Sequence, residues 1–317
     1  MTTSATTLPG GGTAAPGGGA GPVQAARRQR QPVSAWLLAP ALVLFGGFAI
    51  VPLIGAVALS LTSWNGLGTP SWLGLENWRF VLGDHVTWLT LGITVKVMLG
   101  TWAVQTPLSL LLGVYLAPRG RWRAWMGLVY FVALLMSSSA VALVFKNLLD
   151  PNFGLAGPSG PGFLRHAWLG DPNTVLLAVI LIIAWHFVPL HTLLYQAGAR
   201  QIPGSLYEAA QLDGAGTVRR FFSITLPQLR YTIVTSSTLM LVGSLTYFDL
   251  VFVLTAGGPG YATRLLPLHM YLTGFNATEM GRASAIATIL AVFGLCLSLG
   301  LTRLSGFNKM QSQQEGL

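Results

Sequence analysis

The sequence predicts an all-α, polytopic membrane protein with six transmembrane helices, both termini on the cytoplasmic side, and one helical polar loop. Three observations predict it. The 317 residues are 52% hydrophobic and only 9% charged, whereas soluble domains carry about 25% Asp, Glu, Lys and Arg. Six apolar runs reach the ~20 residues that an α-helix needs to cross ~30 Å of hydrocarbon. The basic residues fall mainly in alternate loops, as the positive-inside rule requires.

Taken in order, residues 1–31 come first, with Pro9 to Pro22 almost entirely Gly, Ala, Pro and Thr. Such a composition cannot bury enough apolar surface to order itself, so a disordered cytoplasmic tail is expected. The membrane domain follows over 32–305, and 306–317 form a short second cytoplasmic tail. The spans are Trp36 to Leu61, Trp88 to Leu116, Trp125 to Phe145, Thr174 to Tyr195, Ile233 to Leu254 and Ala283 to Leu301. The first span also resembles a secretory signal, because arginines precede it, but it is too long and lacks a small-residue cleavage site. Arg27, Arg28, Arg30, Arg119, Arg121, Arg123, Arg200, Arg219, Arg220, Arg230, Arg303 and Lys309 lie before the first span, in alternate loops or after the last. The other loops hold Arg79, Arg165, Arg264 and Arg282. The net charge of +9 therefore records topology and contact with membrane lipid, with no nucleic acid implied.

Several chemistries are missing from the chain. Lys96, Lys146 and Lys309 are not followed by Ser or Thr, so no P-loop exists. His85, His166, His186, His191 and His269 are scattered without carboxylates at ligand spacing, which argues against a metal site. Ser159 sits in a Pro/Gly-rich outer loop that fails the G-x-S-x-G pattern. Cys296 has no partner in the chain. Among ionisable residues inside the spans, Lys96 and Lys146 can snorkel to the headgroups. Asp249 is costlier, since a carboxylate at its depth needs a polar cavity, a partner or a hydrogen bond from a neighbouring helix.

The informative stretch is the polar interruption between the fourth and fifth spans, residues 198–230. Pro203 suits a helix's first turn, Ala209 and Ala210 its middle, and Gly214 the left-handed residue after its end. A second short helix, Val218 to Ile224, can be capped by Gly216-Thr217, with Pro227 leading into the next span. Two small helices at an angle make a knob with a closely approachable backbone, suited to docking. The same residues also allow an amphipathic segment lying on the membrane, with Leu206, Leu212, Phe221 and Phe222 as its apolar side.

The wording of the loop separates these readings. Glu208-Ala209-Ala210, three residues, Gly214, nine residues, Ile224, one residue, then Leu226-Pro227 resembles the EAA motif of permease subunits in bacterial binding-protein-dependent ABC importers. Further fragments resemble the sugar-importer permeases of the maltose and glycerol-phosphate type. They are Pro40, Ser60-Leu61-Thr62-Ser63-Trp64-Asn65, Gly74-Leu75-Glu76-Asn77-Trp78, Phe248-Asp249, Leu254 to Pro259, Thr263, Tyr271, Phe275 and Gly281 to Ala285. Two departures stand out: Ile93-Thr94 where the family often has Asn-Thr, and Tyr231 where a second proline often follows. The first is expected to alter a polar contact between helices, the second the way the knob enters the fifth span.

The resemblance implies a non-enzymatic transport subunit of the plasma or inner membrane that forms half of a pathway for a sugar or oligosaccharide. It implies a second homologous permease, two ATPase subunits and an external or periplasmic solute-binding protein as partners. No cofactor is expected on this chain, ATP and Mg being used by the partner ATPase. Glu208, Ala209, Ala210, Asp213, Gly214, Ile224, Leu226 and Pro227 would form the ATPase-coupling surface. Trp185, His186, Tyr247 and Asp249 are the substrate-path candidates, offering aromatic faces and hydrogen-bonding groups to a polyol, with Gly257, Gly258 and Pro259 at the outer mouth. Importers of amino acids, peptides or phosphate would share the knob without the fragments around Phe248-Asp249 and Gly257-Gly258-Pro259. A stand-alone secondary transporter would need an inverted repeat and midplane carboxylates, and neither is visible.

Overall fold

A computed structural model describes residues 38–304; the expected tails, 1–31 and 306–317, lie outside them, as does the start of the first span. The described chain is mostly helical. Among the described residues four helices are long and apolar enough to cross a membrane: α1 (Ala39–Leu59), α3 (His85–Leu116), α6 (Val175–Arg200) and α12 (Met280–Leu304). They coincide with the first, second, fourth and sixth apolar runs. A short helix, α2 (Glu76–Gly83), lies between the first two.

The third and fifth runs are not single straight helices. The third divides into α4 (Arg121–Leu135) and α5 (Ser138–Leu148), bent by 98°, and the fifth into Arg230–Thr246 and Asp249–Thr255, bent by 52°. Each pair reaches spanning length only when taken together, so six spans follow if each bent pair is one. The cause of the first break is local. Met136 and Ser137 are extended, and the Ser137 hydroxyl accepts the Ala140 N–H at 3.2 Å, capping a new helix inside an apolar run. In the fifth run α9 (Arg230–Gly243) tightens into a 3₁₀ turn over Ser244–Thr246 before α10 (Asp249–Thr255) starts, and a short α11 (Leu266–Tyr271) follows. There Ser244 and Thr246 donate to the carbonyls of Leu241 and Gly243, both at 2.7 Å.

The core gathers these broken pieces around the two long helices. Ile93 and Val97 of α3, Val141 and Ala142 of α5, Val179, Ile182 and Ile183 of α6, and Leu250, Val251 and Leu254 of α10 form its main cluster. Backbones of α3 and α6 touch where they cross near Gly113. A Cβ there would meet Tyr195 Cβ at 2.6 Å, Thr192 O at 2.9 Å and Gln196 N at 3.0 Å. Close approach of this kind is how membrane helices associate without a hydrophobic driving force between them. Gly113→Ala should therefore destabilise the fold by about 1–3 kcal/mol of overpacking, read as a lower unfolding midpoint in detergent. Gly92→Ala, on the same helix with nothing within 4 Å of the added carbon, should leave it unchanged or slightly raised.

The C-terminal end of α1 is fastened by polar contacts. Asn77 Nδ2 donates to the carbonyls of Ser60 at 3.0 Å and Thr62 at 2.8 Å, and Trp78 Nε1 donates to Ser60 Oγ at 3.0 Å. A two-stranded hairpin, β1 (Thr62–Ser63) and β2 (Ser71–Trp72), follows. The Gly281 backbone lies so close to Thr62 O that no side chain fits there. The fragments around Asn77 and Gly281 thus hold the first and last spans together. No residue of α1 itself is buried, and it packs on α12 through its C-terminal half, Val51–Leu59.

Candidate functional site

The polar loop forms the knob at one end of the bundle. Helix α7 (Gly204–Leu212) begins just after Pro203, which stands one position outside the helix as its cap instead of within its first turn. The helix closes through Gly214 at φ +73°, with Gly214 N–H bonded to Gln211 O at 3.1 Å and Ala215 N–H to Ala210 O at 2.8 Å. These are the two bonds of a Schellman closure, and nothing lies within 4 Å of a Cβ on Gly214. The backbone conformation alone calls for glycine there.

The second arm differs from the expected short helix. Gly216, in extended conformation, precedes α8 (Thr217–Arg220), and no side chain caps it; Thr217 is the first helical residue. The helix then widens into a π turn over Phe221–Thr225 and continues through Leu226–Gln228 almost to α9. Pro227 explains the widening. It has no N–H and its ring crowds the Ser223 carbonyl four residues back, and the preceding Leu226 N–H reaches five residues back to Phe221 O. The two arms are tied by Tyr207 Oη and Thr225 Oγ1 at 2.8 Å. At the junction with the fifth span, Tyr231 accepts a 2.8 Å hydrogen bond from Arg230, whose guanidinium lies 4.5 Å from the ring centroid.

This arrangement exposes Glu208, Ala209, Asp213, Gly214 and Pro227, with Ala210, Ile224 and Leu226 half-buried. Leu212 is 90% exposed and Phe222 61%. Phe221 instead packs on the cluster of Leu110, Tyr195 and Leu229 at the ends of the spans. The four apolar residues of the membrane-surface reading therefore do not share one environment.

The substrate-path candidates divide. His186 is buried and engaged within the bundle: its Nδ1 lies 2.9 Å from Ala133 O and its Nε2 3.5 Å from Ser138 Oγ. Ala133 is in the last turn of α4, where carbonyls lose their helical partners, so the imidazole bridges the break in the third run. Trp185 packs edge-on against Phe145 and borders an apolar cavity of about 730 Å³ with Trp122, Trp125 and Tyr130. Tyr247 stacks on Phe187 at 5.3 Å, at the break in the fifth run, and Asp249 begins α10 with its side chain exposed. Asp249 is thus close in sequence to Tyr247 alone, while Trp185 and His186 serve the broken third run.

Sequence reasoning passed over Gln105, which is fully buried on α3 with neither amide atom hydrogen-bonded among the described residues. The Tyr247 hydroxyl interacts with it electrostatically without reaching hydrogen-bond geometry. A survey of ionisable residues misses an amide; the signal was a polar side chain in mid-span. Lys96 and Lys146 are exposed on their helices.

At the opposite end from the knob, Gly257 (φ +87°) and Gly258-Pro259, joined by a cis peptide, make a tight turn. Thr263 Oγ1 donates to Gly258 O at 2.8 Å and pairs with Thr255 Oγ1 at 2.7 Å. Thr94 on α3 accepts the Leu266 N–H at 2.8 Å, an inter-element polar contact made by the residue that keeps the family pattern, while Ile93, the departing residue, packs in the apolar core. Beside this turn the Asp84 carboxyl caps α3. Burial raises its pKa, but hydrogen bonds from Thr87 and Val86 and the nearby His269 outweigh that and hold it below the usual value.

A family model described as "binding-protein-dependent transport system inner membrane component" matches residues 106–305. The chain is 35% identical to the probable ABC transporter permease protein YurN of Bacillus subtilis over 269 residues, covering 83% of this chain and 92% of that protein. It is 32% identical to the sulfoquinovosyl glycerol transport system permease protein SmoG of Agrobacterium fabrum, covering 83% and 86%. In fold it is similar to a chain of a bacterial alginate ABC transporter solved with an alginate pentasaccharide-bound periplasmic protein. That match has a TM-score of 0.74 at 20% identity and covers 88% of this chain and 96% of the other. Apolar helices and relatives of matching length agree with that match, and the chain belongs to the family of binding-protein-dependent transport system inner membrane components.

Proposed function

We propose that this chain forms half of the membrane pathway of an ATP-driven importer for a sugar or oligosaccharide, and that it receives its driving motion through the loop 198–230. As a family member it is a multi-pass transport component of the inner membrane. The observation that carries the reading is the knob. A helix closed rigidly by a Schellman turn displays Glu208, Ala209 and Asp213 beyond the end of the bundle, while its second arm runs helically almost to the fifth span.

Such a part acts as a lever. Two ATPase subunits, using ATP and Mg, would close around this knob and that of a second, homologous permease. The closure moves each knob as a rigid body and tilts the helices attached to it. That the sequence carries no P-loop supports hydrolysis by those other polypeptides. A sugar is favoured because relatives are named for a sugar glycerol and for alginate. On the pathway side, Tyr247 and the exposed Asp249 flank the break in the fifth run and offer a ring face and a hydroxyl acceptor. The turn at Gly257, Gly258 and Pro259 would meet a solute-loaded binding protein.

The test is company and dependence. Affinity-purified chain should bring with it a soluble ATPase and a sister permease, and uptake into vesicles should require ATP and the binding protein. Robust transport by this chain alone would overturn the reading.

A further inference from the structure

At the knob end of the bundle, arginines from separate elements converge on two adjoining cavities that contain no carboxylate. One, of about 420 Å³, lies between the turn after α3, the start of α4 and the end of α6; Arg119, Arg123 and Arg200 line it. The other, of about 590 Å³, lies under the knob and is lined by Arg119, Arg200 and Arg220 with the hydroxyl residues Tyr207 and Thr217. Arg119, Arg200 and Pro118 are the wall they share. None of the three ion pairs found among the described residues involves these arginines.

Their placement is fixed by the fold. The helix α3 ends with free carbonyls, and Gln196 Nε2 donates to Leu116 O at 2.7 Å while Arg200 Nε donates to Ala117 O at 3.0 Å. The Arg200 guanidinium is thereby held at the mouth of both cavities. Arg123 is held by the Tyr115 ring, 5.4 Å from its centroid. From this basic mouth the smaller cavity continues along α4 past Ala124, Gly127, Leu128 and Phe131, an apolar surface running toward the middle of the membrane.

We propose that this is a binding site for an anionic phospholipid. The phosphodiester sits among Arg119, Arg123 and Arg200, and an acyl chain lies along Gly127, Leu128 and Phe131. Guanidinium groups pair well with phosphate oxygens, and basic pockets between helices at the cytoplasmic face select anionic headgroups. Charges placed only to set topology would not need to converge on one apolar-floored cavity. Because Arg119 and Arg200 also wall the space beneath the knob, the headgroup braces the hinge between α6 and the knob against the turn after α3. The site is independent of the transported solute.

The experiment is native mass spectrometry of the full chain, in its complex where one purifies, with phosphatidylglycerol and phosphatidylcholine added in equal amounts. Wild type should retain phosphatidylglycerol preferentially. Each basic side chain is worth roughly a fivefold factor near an anionic surface, so Arg119→Gln/Arg123→Gln/Arg200→Gln should lower that preference by about 100-fold. Arg303→Gln, exposed at the end of α12, should leave it intact. Leu128→Trp, at a residue 60% exposed, should weaken retention with all arginines present, because it fills the acyl groove. Where the triple variant is not recovered folded, Arg119→Gln alone should lower the preference about fivefold. Unchanged preference in the arginine variants would overturn the proposal. So would displacement of the lipid by excess inorganic phosphate together with no effect of Leu128→Trp, which would make it a phosphate site. Loss of ATPase co-purification with lipid retention unchanged would assign the patch to a protein interface and overturn it as well.

Discussion

Replacing Glu208 by lysine is expected to abolish ATP-dependent uptake while leaving the chain folded and inserted. Glu208 is exposed on α7, and none of the ion pairs among the described residues uses it. Substitutions at such positions usually change stability by no more than about 0.5 kcal/mol. A docking surface is different, because a charge of the wrong sign opposite a basic partner costs several kcal/mol. At about 3 kcal/mol, docking weakens on the order of 100-fold. Uptake into proteoliposomes and ATPase co-purification should both fall to background, with an unshifted melting midpoint. Glu208→Gln, which removes the attraction without adding repulsion, should retain part of both. Full uptake by the lysine variant would remove Glu208 from the coupling surface.

The knob was legible because its signals are local. Pro203, the alanines and Gly214 each state a backbone preference within one short segment, and the positive φ at Gly214 follows from them. Hydropathy located the spans for a similar reason: burial in lipid depends on the composition of ~20 residues together. That averaging is also why the two breaks were missed. Ser137 and Ser244 hardly alter the mean of an apolar run, yet one caps a new helix and the other back-bonds to the Leu241 carbonyl. Contacts between distant segments were illegible for another reason. Nothing near Gly113 or Gly281 in the chain announces that Tyr195 and Thr192, or Thr62, will lie against them. The role of His186 depends on both failures at once, since it satisfies a carbonyl freed by a break that the composition conceals.

Gly214→Val should uncouple transport by a route that changes the identity of no docking side chain. At φ +73° a residue with a Cβ is strained by roughly 1–2 kcal/mol, and a β-branched one by more. Since no atom lies within 4 Å of the added carbon, a steric clash contributes nothing at Cβ and the whole effect is conformational. The short helix α7 has little with which to oppose that strain. Its last turn is expected to unwind, releasing Ala215 N–H from Ala210 O and swinging Asp213 and Ala209 off the surface that Glu208 shares. The spans are untouched, so the global melting midpoint should hold while protease sensitivity between residues 204 and 216 rises. Gly214→Asn supplies the decisive contrast, because asparagine tolerates the left-handed region. It should recover most of the uptake that valine loses. Equal loss in both variants would mean that the position needs the absence of a side chain for contact with a partner, and not for its own backbone. Uptake retained in Gly214→Val would show that the coupling helix does not need a rigid end, which a lever requires.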